Sequence, residues 1–307
     1  MNKKRVVITG GSGLLALNWA CAVRNDWDVV LGVHHHAVQL RATSQYRLDL
    51  DDLHKLDRQI VEIAPDLIVH AAGLTNVSDC EKEPALAEMV NATLAKNIAI
   101  VSKSKNIKLI HISTDHLFSG ENSFYSEDSM PAPQNEYARS KLLAEKLVQE
   151  VCPDALILRT NFFGWGHAQR HSFSDWIIYS LREGKTLSMF DDVYISPILA
   201  DTLACFSHKL VEKGASGIFN LVGSERVSKY DFAIKLAKHF KLPVELINHD
   251  KIANAKLFVS RPNDMSLSNV KVCNELNESI GCLDDYFSSL FRQEIQGRRK
   301  ELYSSVT

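Results

Sequence analysis

Residues 5–16 read RVVITGGSGLLA, a β-branched run followed at once by Gly10, Gly11 and Gly13. The run at 5–9 has the composition of a buried strand, and residues 14–24 after it, free of glycine and proline, read as a helix. Between the two, Gly10 permits a tight turn, Gly13 lets backbone amides approach a pyrophosphate, and Ala16 allows close helix–strand packing. A helix opening there offers unpaired N–H donors and the positive end of its dipole to an anion. As the chain's first strand and first helix, this stretch predicts a dinucleotide-binding loop, with Gly10, Ser12, Gly13, Leu14 and Leu15 around the cofactor.

The rest of the first half continues the alternation. Strands are expected at 29–33, 66–70, 108–112 and 155–158, and helices at 53–64, 84–102 and 136–150. Apolar strands without polar alternation, separated by helices, mean a parallel sheet covered on both faces. The pattern loosens beyond residue 160. A helix at 173–182, short strands at 187–190 and 218–221, and a helix capped by Ser228 and Asp231 are expected there. The fold class is therefore α/β, a Rossmann-type doubly wound parallel sheet with a smaller C-terminal substrate-binding domain. Residues 1–160 form the cofactor domain, to which the strands near 187–190 and 218–221 can return, and residues 161–307 form mainly the substrate domain.

Composition narrows the functional classes. The 307 residues carry 35 basic and 37 acidic side chains, a net charge of −2, and 45% are hydrophobic. Disorder is excluded, and the lack of a basic footprint argues against a nucleic-acid partner. No apolar run approaches the roughly 18 residues of a membrane span. The opening MNKKRVVITG is basic and then apolar, but its apolar stretch is too short for a signal peptide. Six cysteines without a CxxC pair fit reduced thiols in the cytosol, so a cytoplasmic protein without a structural metal is expected.

An acid at the end of the second strand would grip the ribose 2′-hydroxyl of NAD. Here stand His34-His35-His36, with Arg41 further on. A site with possible cations and no carboxylate suits the 2′-phosphate of NADP, with NAD as the alternative. Asp49 and Leu50 are placed to meet the adenine, or Asp49 caps the next helix. The second chemical signal is Tyr137-Ala-Arg-Ser-Lys141 on a helix, whose i,i+4 spacing puts both side chains on one face. Ser113-Thr114-Asp115 ends a parallel strand, where open sheets bind ligands. A hydroxyl there and a tyrosine on the following helix can converge on one carbonyl.

With these pieces in place the chain resembles an extended short-chain dehydrogenase/reductase, and within that group the dTDP-4-dehydrorhamnose reductase family. The resemblance rests on TGGSGLLA, HAAGLTNVSDCEKEP, VNATLAKNIA, HISTDHLFSG, YARSKLLAEKLV, LRTNFFGWG and RPNDMSLSN. It implies a catalytic triad of Thr114, Tyr137 and Lys141 acting on the C4 ketone of a nucleotide-linked deoxy sugar. Tyr137 would be the general acid, and Lys141 would lower its pKa while bonding the nicotinamide ribose. Thr114 would donate to the ketone oxygen, a role Ser113 could take instead. Ala71, Ala72 and Gly73 are implied at the cofactor, together with Tyr137 and Lys141. Arg261 is implied on the substrate diphosphate, with Thr75 also at the substrate. Asn161, Phe163, Trp165 and Trp176 are candidates for the sugar or base pocket, with the core as the alternative for each aromatic.

The chain departs from the family pattern at His116, where an aromatic residue usually follows STD, and at 191–198, DDVYISPI. A nucleotide-sugar dehydratase on this scaffold would need Glu after Asp115, so His116 counts against it. A nucleotide-sugar epimerase stays open. So does a non-catalytic NADP-binding regulatory subunit resembling the methionine adenosyltransferase beta subunit. A homodimer is compatible with all of these.

Overall fold

The structure, a computed structural model, describes residues 3–255 and 258–306. In chain order the strands are β1 Arg5–Thr9, β2 Asp28–Val33, β3 Ser44–Arg47, β4 Leu67–His70, β5 Lys108–Ile112, β6 Leu156–Arg159 and β7 Phe162–Phe163. There follow β8 Leu187–Phe190, β9 Tyr194–Ile195, β10 Ile198–Leu199, β11 Gly217–Asn220, β12 Val227–Ser228 and β13 Ile247–Asp250. The α-helices are α1 Leu14–Val23, α2 Leu53–Ile63, α3 Val77–Lys82, α4 Pro84–Glu88, α5 Leu94–Ser104 and α6 Glu136–Val151. The second half holds α7 Phe173–Arg182, α8 Ala200–Glu212, α9 Lys229–His239, α10 Val270–Leu276, α11 Leu283–Ile295 and α12 Arg298–Tyr303.

Seven strands pair in parallel in the order β11-β6-β5-β4-β1-β2-β3. The unbroken apolar reading of β1 follows from cover on both faces. Val6 and Ile8 pack into a cluster with Leu15, Trp19 and Leu203 of α1 and α8. Val7 points the other way, to Leu56, Ile98 and Val148 of α2, α5 and α6. Strand order reverses at β1, between β2 and β4, and this opens the crevice where such sheets bind ligands.

Three expectations are revised. The single helix expected at 84–102 is α4 and α5 joined by a π-helical turn at Met89–Thr93, within which Asn91 is buried. The strand at 187–190 does not return to the central sheet. It pairs in parallel with β13, whereas β11 does join the sheet beside β6. Strand β3, read as SQYR, was not expected because it is a mostly exposed edge without an apolar run. Among the described residues no helix is long and apolar enough to cross a membrane.

Candidate active site

The glycine loop is built around one obligatory backbone conformation. Gly10 has φ +67°, and a Cβ there would lie 2.8 Å from the Ala72 Cα. The Thr9 hydroxyl accepts from the amides of Ala71 and Ala72, both at 3.2 Å, which holds the ends of β1 and β4 together. The Gly13 amide donates to the Gly10 carbonyl (2.7 Å), and α1 begins at Gly13 without a side-chain cap. Its first amides stay available to an anion, so the residues present fit a dinucleotide pyrophosphate. Ser12, Gly13 and Leu14 are partly exposed. Leu15 is in the core, so only its backbone can contribute.

The adenosine end is only partly as expected. His34 directly follows β2 and is exposed at the same sheet edge as the loop, where the Gly11 amide donates to the Gly32 carbonyl (2.9 Å). Asp49 and Leu50 follow β3 at that edge too. The Asp49 carboxylate accepts from Gln59 Nε2 (3.1 Å), and the cap of α2 is Asp52 rather than Asp49. Arg41 is the correction. It precedes β3, so the chain has already run back to the opposite edge, as a parallel neighbour of β2 requires. There its carbonyl accepts from Arg24 (3.0 Å), beside the Arg24–Glu301 ion pair. That location removes Arg41 from the 2′-position.

Asn91 was not singled out from the sequence, yet it ties this crevice to the next element. Its Oδ1 accepts from the Leu74 amide (2.7 Å), and its Nδ2 donates to the Leu74 carbonyl (3.0 Å) and to Ser140 Oγ on α6 (2.9 Å). The only sequence signal was an asparagine within VNATLAKNIA, a stretch that also holds Asn97.

Helix α6 starts on the cap of Asn135, whose Oδ1 accepts from the Ala138 amide (3.0 Å). Tyr137 and Lys141 lie one turn apart and are both buried, at 9% and 6% exposure. Burial pushes the Tyr137 phenol up to about 12, while the Thr114 hydroxyl against it pulls the other way. Lys141 Nζ donates to the Ile112 carbonyl at 2.7 Å. Burial lowers its pKa to about 8, opposed by Glu145. The expected lowering of Tyr137 by Lys141 is therefore not what this arrangement produces: desolvation of the phenol dominates, and the ammonium is held on the backbone of β5.

Ser113 and Thr114 differ in what their hydroxyls meet, and a buried ion pair takes the first of them. Ser113 Oγ donates to Glu145 Oε1 (2.5 Å), and Arg159 Nε and Nη2 donate to the same carboxylate (3.0 and 2.8 Å). Glu145 and Arg159 are 1% and 2% exposed. The Ser113 hydroxyl is committed to that structure, whereas the Thr114 hydroxyl donates to Asp115 Oδ1 and accepts from the His116 amide, both at a longer 3.3 Å.

Next to this pair lies a cleft of about 610 Å³, lined by Gly73, Leu74, Thr75, Asn76, Val77, His116, Gln169, Arg170 and Arg261. Arg170 Nη2 donates to Thr75 Oγ1 across it (2.6 Å). Arg261 Nε is buried without a hydrogen-bond partner among the described residues, as a guanidinium awaiting an anion would be. Asn161 Nδ2 donates to Asp115 Oδ2 (2.6 Å), and burial raises the Asp115 carboxyl to about 6 against the pull of Asn161, Thr114 and Lys229. Thr75, Asn161 and Arg261 are thus gathered at or beside the cleft. Trp165, Trp176 and Phe163 are not. Trp165 and Phe163 are in the core, and Trp176 is 41% exposed on α7, because Ile177, Ile178 and Leu181 claim the buried face.

Residues 4–280 match the family described as the RmlD substrate binding domain. A Haloferax volcanii protein named "probable low-salt glycan biosynthesis reductase Agl14" is 31% identical over 287 residues, 92% of this chain and 96% of that protein. The crystal structure of a hypothetical dTDP-4-dehydrorhamnose reductase from Sulfolobus tokodaii superposes with a TM-score of 0.79 at 32% identity, covering 91% of this chain and 97% of that one. A dTDP-4-dehydrorhamnose reductase from Bacillus anthracis in complex with NADP shares the fold, with a TM-score of 0.84 at 24% identity over 95% and 99% of the two chains.

Proposed function

The chain belongs to the RmlD substrate binding domain family, and from that premise we propose that it is an NAD(P)-dependent oxidoreductase that reduces the C4 ketone of a nucleotide-linked deoxy sugar, with NADP as the preferred cofactor. The observation that carries the reading is the buried Tyr137 and Lys141 pair on α6, with the Tyr137 ring edge-on to His116 in a cleft that also holds Arg261. Its relatives named as reductases point the same way. We assign residues 1–160, with β11, mainly to the cofactor and residues 161–307 mainly to the substrate.

When bound, the reduced nicotinamide supplies a hydride to the ketone carbon. The amides of Ser12, Leu14 and Leu15 at the start of α1 would hold the pyrophosphate, and no carboxylate at the end of β2 would repel a 2′-phosphate. Thr114 donates to the ketone oxygen and fixes the carbonyl's direction. Tyr137 then transfers its proton to the developing alkoxide, a stronger base than its own phenolate. Lys141 supplies the positive charge nearby on the same helix face, and Arg261 takes the substrate diphosphate.

The test is incubation of the chain with NADPH and a thymidine-diphosphate 4-keto-6-deoxyhexose, following the loss of reduced nicotinamide absorbance and the sugar product by mass. Tight NADPH binding without ketone consumption would overturn the proposal. The hydroxyl assignment has its own check in steady-state rates. Thr114→Val is expected to lower kcat by about 100-fold or more, the usual loss for a donor to a developing oxyanion. Ser113→Ala is expected to cost about 1 kcal/mol of stability, with kcat little changed, because its hydroxyl serves Glu145.

A further inference from the structure

The proposed chemistry leaves His116 unused. This residue follows Asp115 just beyond β5, and its side chain lines the cleft at 18% exposure. Its ring meets the Tyr137 ring edge-on, with 5.6 Å between centroids. Nδ1 is buried without a hydrogen-bond partner among the described residues. Nε2 stands 4.0 Å from Asp115 Oδ1, beyond hydrogen-bond reach, and Asp115 is already engaged by Asn161. Burial, aided by the charges of Lys229 and Arg261, keeps the imidazole neutral.

A neutral imidazole carries one donor and one acceptor, and here the protein spends neither. An unsatisfied polar ring costs stability that a phenyl ring packed on Tyr137 would not, so its value lies in what completes it. Because the two rings meet edge-on, a group that meets the imidazole from the cleft lies beside the carbonyl that Tyr137 would serve. A hydroxyl matches an imidazole in either sense, as donor or acceptor, and a deoxy carbon matches it in neither.

We propose that His116 reads a hydroxyl on the sugar carbon next to the reacting ketone, which makes it a specificity-determining residue. The inference rests on the reductase reading above. It selects 4-keto sugars that retain their C3 hydroxyl over 3-deoxy counterparts.

The experiment compares the thymidine-diphosphate 4-keto-6-deoxyhexose with its 3-deoxy analogue, both with NADPH, in the wild type, His116→Phe and His116→Asn. The wild type is expected to favour the hydroxylated sugar by about 10- to 100-fold in kcat/KM, the cost of leaving a buried polar group unmet. In His116→Phe the preference should fall to within about three-fold, and His116→Asn, which keeps a donor and an acceptor, should recover part of it. A wild-type chain without preference, or a His116→Phe chain that keeps it, overturns the proposal. If the wild type oxidises NADPH with neither sugar, the reductase reading falls separately. Calorimetric binding of the same two sugar nucleotides to the NADP-loaded chain then applies the same criterion to His116.

Discussion

Tyr137→Phe is expected to lower kcat for ketone reduction by about 10²- to 10⁴-fold, the range for loss of a positioned general acid, while NADPH affinity changes little. The phenyl ring keeps the packing against Val77, Cys80 and Val259 and the edge-on contact with His116, so only the proton donor is lost. With its phenol pushed up to about 12, Tyr137 stays protonated throughout the neutral range and does not itself shape the pH profile there. Lys141 does. Its pKa, lowered to about 8 by burial, sets the pH above which the ammonium is lost, so kcat should fall as pH rises through about 8. Stopped-flow binding of NADPH and steady-state rates from pH 6 to 10 measure both. A Tyr137→Phe chain that reduces ketones at the wild-type rate removes the acid from the mechanism. A wild type that binds NADPH tightly and reduces nothing is instead the signature of the regulatory-subunit reading.

What the sequence made legible was local, and what it hid was long-range. The loop at Gly10 could be read because a positive φ beside Ala72 tolerates little else, and β1 because cover on both faces leaves an unbroken apolar run. Arg41 was misplaced because distance along the chain says nothing about which sheet edge a crossover has reached; seven positions beyond His34 it was already at the far end of the strands. For Trp165 the core alternative holds rather than the pocket, and Trp176 lies in neither, on the outer face of α7. The role of Ser113 depended on Glu145 reaching it across 32 positions while also holding Arg159, a meeting in the interior that no local pattern announces. The effect of Lys141 on Tyr137 was argued from charge alone, and burial outweighs it.

Mild acid is expected to unfold the chain, because its interior holds imidazoles that must stay neutral. His70 and His111 are 1% exposed on neighbouring strands, their rings stacked at 5.5 Å, and His208 Nε2 accepts from Trp19 Nε1 (3.0 Å). Burial lowers His70 and His116 to about 3 and His208 to about 4, and lowers His111 well below the usual value. Below the ordinary histidine pKa of about 6.5 the unfolded chain takes up protons that the native chain refuses, so stability is full above that pH and is lost as pH falls toward 4. Asp115, raised to about 6, works in the opposite sense: the native carboxyl binds its proton first, which offsets about one histidine between pH 6 and 4. Three uncompensated protons remove about 4 kcal/mol per pH unit, against a total of about 5–15 kcal/mol for a typical domain. Circular dichroism should therefore show a cooperative transition at about pH 4–5. His111→Leu, which replaces a ring with two unpartnered nitrogens, should move that transition to lower pH and reduce the proton uptake on unfolding by one. Persistence of the native signal to pH 3, or a His111→Leu transition identical to the wild type, would mean that these rings accept protons inside the folded chain. The neutrality assigned to His116 would then lose its physical basis as well.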